Sequence, residues 1–131
     1  MSDSRSPADS AHGPLTPSEL AELESTLLPA LERHHLRLLA HALRTLQTIA
    51  GREQGAPPTP ADLAGWAASQ PDLAGDPAFT RVFLEQLEGA GSQLAAIAAG
   101  LATSALALEL SQLCGWARNQ ADTRLRRDSG I

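Results

Sequence analysis

Apolar side chains return along the first half of the chain at Leu20, Leu23, Leu27, Leu31, Leu38, Ala42, Leu46 and Ile49, spacings that line up one face of a helix. The start is marked too. Thr16 offers a capping hydroxyl, Pro17 suits the first helical position, and Glu19 stands where it can bond back to the cap, so a helix is expected from about Pro17 toward Gly51. Pro29 lacks an amide hydrogen and its ring crowds the carbonyl of Ser25, which predicts either a kink or two separate helices. Turning about 100° per residue from Leu31, the side chains Leu36, Leu38, Leu39, Ala42, Leu43, Leu46 and Ile49 cover roughly 160°, against a stripe of roughly 100° on an ordinary surface helix. Such a helix is central in its bundle or touches a partner as well. Arg33, Arg37 and Arg44 fall on the opposite, solvated side.

Gly55, Ala56, Pro57 and Pro58 read as a linker, and Thr59, Pro60 and Asp62 repeat the cap, proline and acid pattern ahead of a short helix over 60–69. A third helix begins at Asp76 and Pro77. Its stripe of Phe79, Phe83, Leu87, Ala90, Leu94, Ile97 and Leu101 keeps phase across Gly89 and Gly91, which predicts one helix whose glycines admit a neighbouring backbone; a break over 89–92 is the alternative. Thr103 and Ser104 are placed to cap a last helix to about Leu125 with Leu106, Leu110, Leu113, Cys114, Ala117 and Ala121 inside. On that wheel Leu108 falls among polar positions and Trp116 at the margin. The segments 63–70 and 113–120 echo each other as Leu-x-Gly-Trp-Ala-x-x-Gln, which convergence of two amphipathic helices accounts for, duplication being the alternative.

The expected fold is therefore all-α, a compact bundle of four to five helices. Residues 1–14, rich in Ser, Asp, Ala and Pro without periodicity, are expected to be a disordered tail, 15–125 a single helical domain, and 126–131 a C-terminal tail. At 131 residues there is room for one modest core. Leucine and alanine carry most of the 43% apolar content, while strand formers are scarce.

Charge narrows the function. A net charge of −5 with dispersed cations argues against nucleic acid, whose phosphates demand clustered Lys and Arg. All ten cations are arginine, as GC-rich coding favours. One cysteine forbids an internal disulfide, no stretch reaches the roughly 18 apolar residues of a membrane span, and the N-terminus lacks the apolar core of a signal peptide. A cytoplasmic protein is the expectation.

Candidate chemistry is thin. His35 points into the apolar arc beside Leu31, Leu38, Ala42 and Leu46, which predicts a neutral, hydrogen-bonded core histidine and makes it the candidate anchor for a small molecule or cofactor between helices. His34 and His41 are seven apart, whereas helical metal ligands stand three or four apart, so no metal site is expected, and no particular cofactor is assigned. With Arg37 and Arg44 they could line an anion-friendly surface. His34, Arg37, His41, Arg44, Leu108 and Trp116 are thus the interface candidates. Cys114 on an inner face is expected to be an inert, apolar-like thiol. Arg118, Arg124, Arg126 and Arg127 complement the end of the last helix, the alternative being an electrostatic hook for an acidic protein or a membrane surface. No phosphate loop, serine elbow or zinc spacing occurs, and no catalytic residue is assigned.

The segment 34–47, together with Trp66, Gln70-Pro71, Asp76-Pro77-Ala78-Phe79 and Phe83-Leu84-Glu85-Gln86-Leu87, resembles small uncharacterised helical proteins of cyanobacteria over about 31–120. The resemblance implies a cytoplasmic or thylakoid-adjacent setting in a photosynthetic bacterium and brings no activity or site residues. The function expected from the sequence is non-catalytic: an accessory or assembly factor acting through helical surfaces on a protein partner or a second copy. Binding of a small molecule near His35 is the alternative.

Overall fold

The computed structural model describes residues 15–128, so the tail expected at 1–14 lies outside the described residues, as do 129–131. Among the described residues all regular structure is helical, and there is no strand. The elements are α1 (Pro17–Glu24), α2 (Ala30–Ala50), α3 (Pro60–Ala68), α4 (Pro71–Ala74), α5 (Pro77–Gly100), a 3-10 turn (Ala105–Ala107) and α6 (Leu110–Asp128). The six α-helices among the described residues exceed the four to five expected. Pro29 and Pro71 account for the difference.

At the first, Pro29 breaks the chain instead of kinking it. The α1 cap forms as anticipated, with Thr16 Oγ1 accepting from Glu19 N–H at 3.1 Å and Glu19 Oε1 accepting from Thr16 N–H at 3.1 Å. After Ser25 the helix stops; Leu27 takes a left-handed φ of +56°, and Leu28, directly before proline, is disfavoured from helical geometry. The Pro29 carbonyl then accepts the first bond of α2, from Arg33 N–H at 2.9 Å. At the second position, Pro71 stops α3 and opens the one-turn α4, because proline without its N–H is tolerated in a first turn.

The start of the last helix also differs from expectation. Thr103 and Ser104 do not cap it: Ser104 Oγ accepts from Gly55 N–H at 2.9 Å, and a 3-10 turn intervenes. α6 instead opens at Glu109, whose N–H donates to Gln112 Oε1 at 2.8 Å and whose carbonyl accepts from Leu113 N–H at 3.1 Å. It runs on to Asp128, so Arg126 and Arg127 lie in helix where a tail was expected. Leu108 precedes the helix in extended backbone, so the wheel that put it outside does not apply, and it is buried.

Contacts divide the described chain into two units, residues 15–41 with 109–128, and Ala42–Leu108. In the first, α1 packs on α6, and the buried side chains include Leu23, Leu36, Leu39, Leu113, Cys114, Ala117 and Ala121. In the second, α3, α4 and α5 pack together and the 3-10 turn lies on α5. α5 runs unbroken through both glycines. A Cβ on Gly91 would stand 3.2 Å from Pro57 Cβ, whereas one on Gly89 would meet nothing within 4 Å. The close approach thus belongs to Gly91 alone, and its neighbour is a proline ring.

Candidate docking groove

In the first unit the apolar arc of α2 is split. Measured from Leu31 at about 100° per residue, the buried side chains Glu32, Leu36, Leu39 and Ala40 centre near 130°, while Leu31, His35 and Leu38 centre near 10° and face outward. Leu31 is 63% exposed and Leu38 55%. This outward strip does not stand alone: α6 runs beside it, and between them lies a groove of about 460 Å³.

α2 lines the groove with Leu31, Glu32, His34, His35 and Leu38, and α6 with Trp116, Ala117, Gln120, Thr123, Arg124 and Arg127. The α6 positions recur at three, four and seven, so one helical face supplies them all. Apolar surface comes from the two leucines, the indole and Ala117. Polar groups rim it.

Glu32 and Arg124 close one part of the rim. The Glu32 side chain is 8% exposed, and Arg124 grips it with two donors, Nε to Oε2 and Nη2 to Oε1 at 2.8 Å. That fork holds the Glu32 carboxyl below its ordinary range, against the opposing effect of burial, and raises the guanidinium in turn. Arg124 also reaches Asp128 at 3.3 Å. Arg127, by contrast, faces the groove with no acidic partner among the described residues.

His35 is not the core histidine that its place in the arc predicted. It is exposed and meets Trp116 edge-on, ring centroids 5.4 Å apart and planes 79° apart. The reason is the split itself: the core of this unit sits to one side of the apolar centre, leaving His35 on the flank. It does line the groove, as the small-molecule candidate required. His34 joins it there, exposed.

The other interface candidates go elsewhere. Arg37 is paired with Glu24, which also stands 3.8 Å from Arg33, so these cations tie α2 to α1. His41 is half-buried; burial first, and then the Arg37 charge, lowers its pKa. Arg44 belongs to the second unit and donates to Gln47 Oε1 at 2.9 Å. Leu108 is 2% exposed and offers no surface. Only His34 and Trp116 of the six reach the groove. Glu32, Arg124 and Arg127 were not recognised together, because nothing in the spacing of α2 announces a partner on α6.

Cys114 is buried beside the groove helix's inner face. Burial pushes its thiol up, the Glu22 charge adds to this, and Arg118 opposes it. A raised thiol pKa leaves little thiolate to act as a nucleophile. Among the described residues no three His, Cys, Asp or Glu side chains converge as metal ligands would, and no helix is long and apolar enough to cross a membrane.

The site therefore offers a half-open, amphipathic surface between two helices. Such a surface suits recognition of a chain segment. No curated protein and no solved structure gives a significant match. One family model, described as NDH complex assembly factor CRR9, matches residues 15–124, nearly all of the described chain. On the strength of that match, which takes in both α2 and most of α6, the chain belongs to the NDH complex assembly factor CRR9 family.

Proposed function

We propose that this chain is a non-catalytic factor in the assembly of an NDH complex, binding protein partners through its helical surfaces. The observation that carries this reading is the family match over 15–124. The exposed leucines of α2 and the groove beside them supply a surface on which such a factor can act. An assembly factor works by binding and release, which accords with an open groove whose buried acid, Glu32, is held by Arg124.

The setting we propose is the cytoplasmic or thylakoid-adjacent face of a photosynthetic bacterium. Support comes from the cyanobacterial resemblance of the helical segments and from the complex named in the family description. A small molecule beside His35 is the second reading, favoured by a groove that reaches that ring. Small-molecule sites usually bury most of their ligand, however, and here Leu31 and Leu38 remain more than half exposed.

The test is deletion of the gene followed by native electrophoresis of the NDH complex. Loss of mature complex, with its subunits still synthesised and smaller subassemblies accumulating, is the expected result. Normal amounts of complex in the deletion strain would overturn the reading.

A further inference from the structure

We propose that the α2–α6 groove receives an amphipathic helical segment of a partner protein that carries a carboxylate, with Leu31, Leu38 and Trp116 taking its apolar face and Arg127 its acid. This deepens the assembly reading and rests on it for the identity of the partner. Two observations carry it. The first is shape and polarity: a solvent-open trough between two helices, apolar along its floor, accommodates a third helix lying apolar face down.

The second is charge. The protein as a whole carries −5, so its surface is on balance acidic. The groove reverses that sign locally. Its one acid, Glu32, is bound by Arg124, which leaves Arg127 without an acidic partner among the described residues and two imidazoles, His34 and His35, as further donors. An occupant that presented only apolar groups would leave Arg127 unanswered, and a basic one would be repelled. A second copy of this chain would bring a net negative charge but also its own Arg127 and the same outward leucines, so it would have to supply its carboxylate from another face.

The test uses the full chain as bait for a phage-displayed library of random 15-residue peptides. Enriched peptides should place apolar residues three, four or seven apart with an Asp or Glu alongside. Leu38→Glu should weaken the enriched peptides by about thirtyfold or more, since it puts a charge in the centre of the contact. Arg127→Glu should weaken acid-bearing peptides on the order of fivefold and shift selection toward Lys or Arg. Both replacements are at exposed positions, and circular dichroism should show unchanged helix content.

Absence of enrichment, selection without acidic residues, or an unchanged preference in Arg127→Glu would overturn the proposal. So would a wild-type dimer that Leu38→Glu splits, which would assign the groove to a second copy. Complementing the deletion strain separates this idea from the one beneath it. If Leu38→Glu restores the NDH complex fully, the groove proposal fails and the assembly reading stands; if deletion itself leaves the complex intact, the assembly reading fails whatever the peptides show.

Discussion

Arg124 reaches back across 92 residues to hold both carboxylate oxygens of Glu32. This fork fixes the end of α6 against the start of α2 and so sets the separation of the two walls of the groove. Its contribution to stability also depends on pH. The folded state holds the Glu32 carboxyl below its ordinary 4.5. A carboxyl so depressed contributes stability that is complete above the unfolded value and is lost as pH falls through the folded one.

Replacing Arg124 by Met should therefore lower the thermal midpoint at neutral pH and have a smaller effect once Glu32 is protonated. Thermal melts of both proteins at pH 7 and at about pH 2 would show this as converging midpoints. A midpoint difference that stays constant across that range would mean the fork contributes through packing of the arginine stem and not through charge.

The split of the α2 arc predicts opposite fates for two leucines only two residues apart. Leu36 is fully buried, so Leu36→Ala should cost about 2–5 kcal/mol through lost burial and the cavity left behind. Leu38 is 55% exposed, and Leu38→Ala should stay within about 0.5 kcal/mol. Urea denaturation of the two variants decides it. Equal, large losses would mean that the Leu38 side of the helix is covered within the folded chain.

Much of the fold was legible in the sequence because caps and prolines act locally. Thr16 with Glu19, and Thr59 with Asp62, form their capping boxes where the spacing placed them. The phase of the α5 stripe correctly carried the helix through Gly89 and Gly91. Burial was less legible. Periodicity says that Leu31, His35, Leu38 and Leu36 share an apolar side, but which part of that side meets the core depends on how α2 packs, and this rotated His35 out. The site suffered most, since the pairing of Glu32 with Arg124 joins residues from opposite ends of the chain. Leu108 was misread for a simpler reason: a helical wheel was drawn through residues that form a 3-10 turn and a short extended link.

Gln47 shows how a polar side chain can anchor the second unit. It is 8% exposed, donates from Nε2 to the Leu106 carbonyl at 2.8 Å and accepts from Arg44 at 2.9 Å. Gln47→Leu matches the residue in bulk but leaves the Leu106 carbonyl without this donor, so a loss of about 1–3 kcal/mol is expected. Chemical denaturation should show it, and amide exchange over 104–108 should accelerate if the 3-10 turn is what loosens. Unchanged stability would mean that water satisfies the carbonyl without strain.

The two interior glycines of α5, Gly89 and Gly91, should respond with opposite signs. Gly89 lies mid-helix in open space, so Gly89→Ala removes the backbone entropy that glycine loses on folding and should stabilise by about 0.5–1 kcal/mol. The same gain in helix propensity is available at Gly91, but there a new side chain is driven against Pro57 and toward Leu46 Cδ1, 3.7 Å from the Cβ position. Gly91→Val adds further bulk to that contact and a β-branched residue to the helix, and should destabilise by about 1–3 kcal/mol. Melting midpoints of the two variants, compared with the parent, test the pair together. If Gly91→Val were neutral, Pro57 and its linker would have to yield freely, and the glycine would have no packing role.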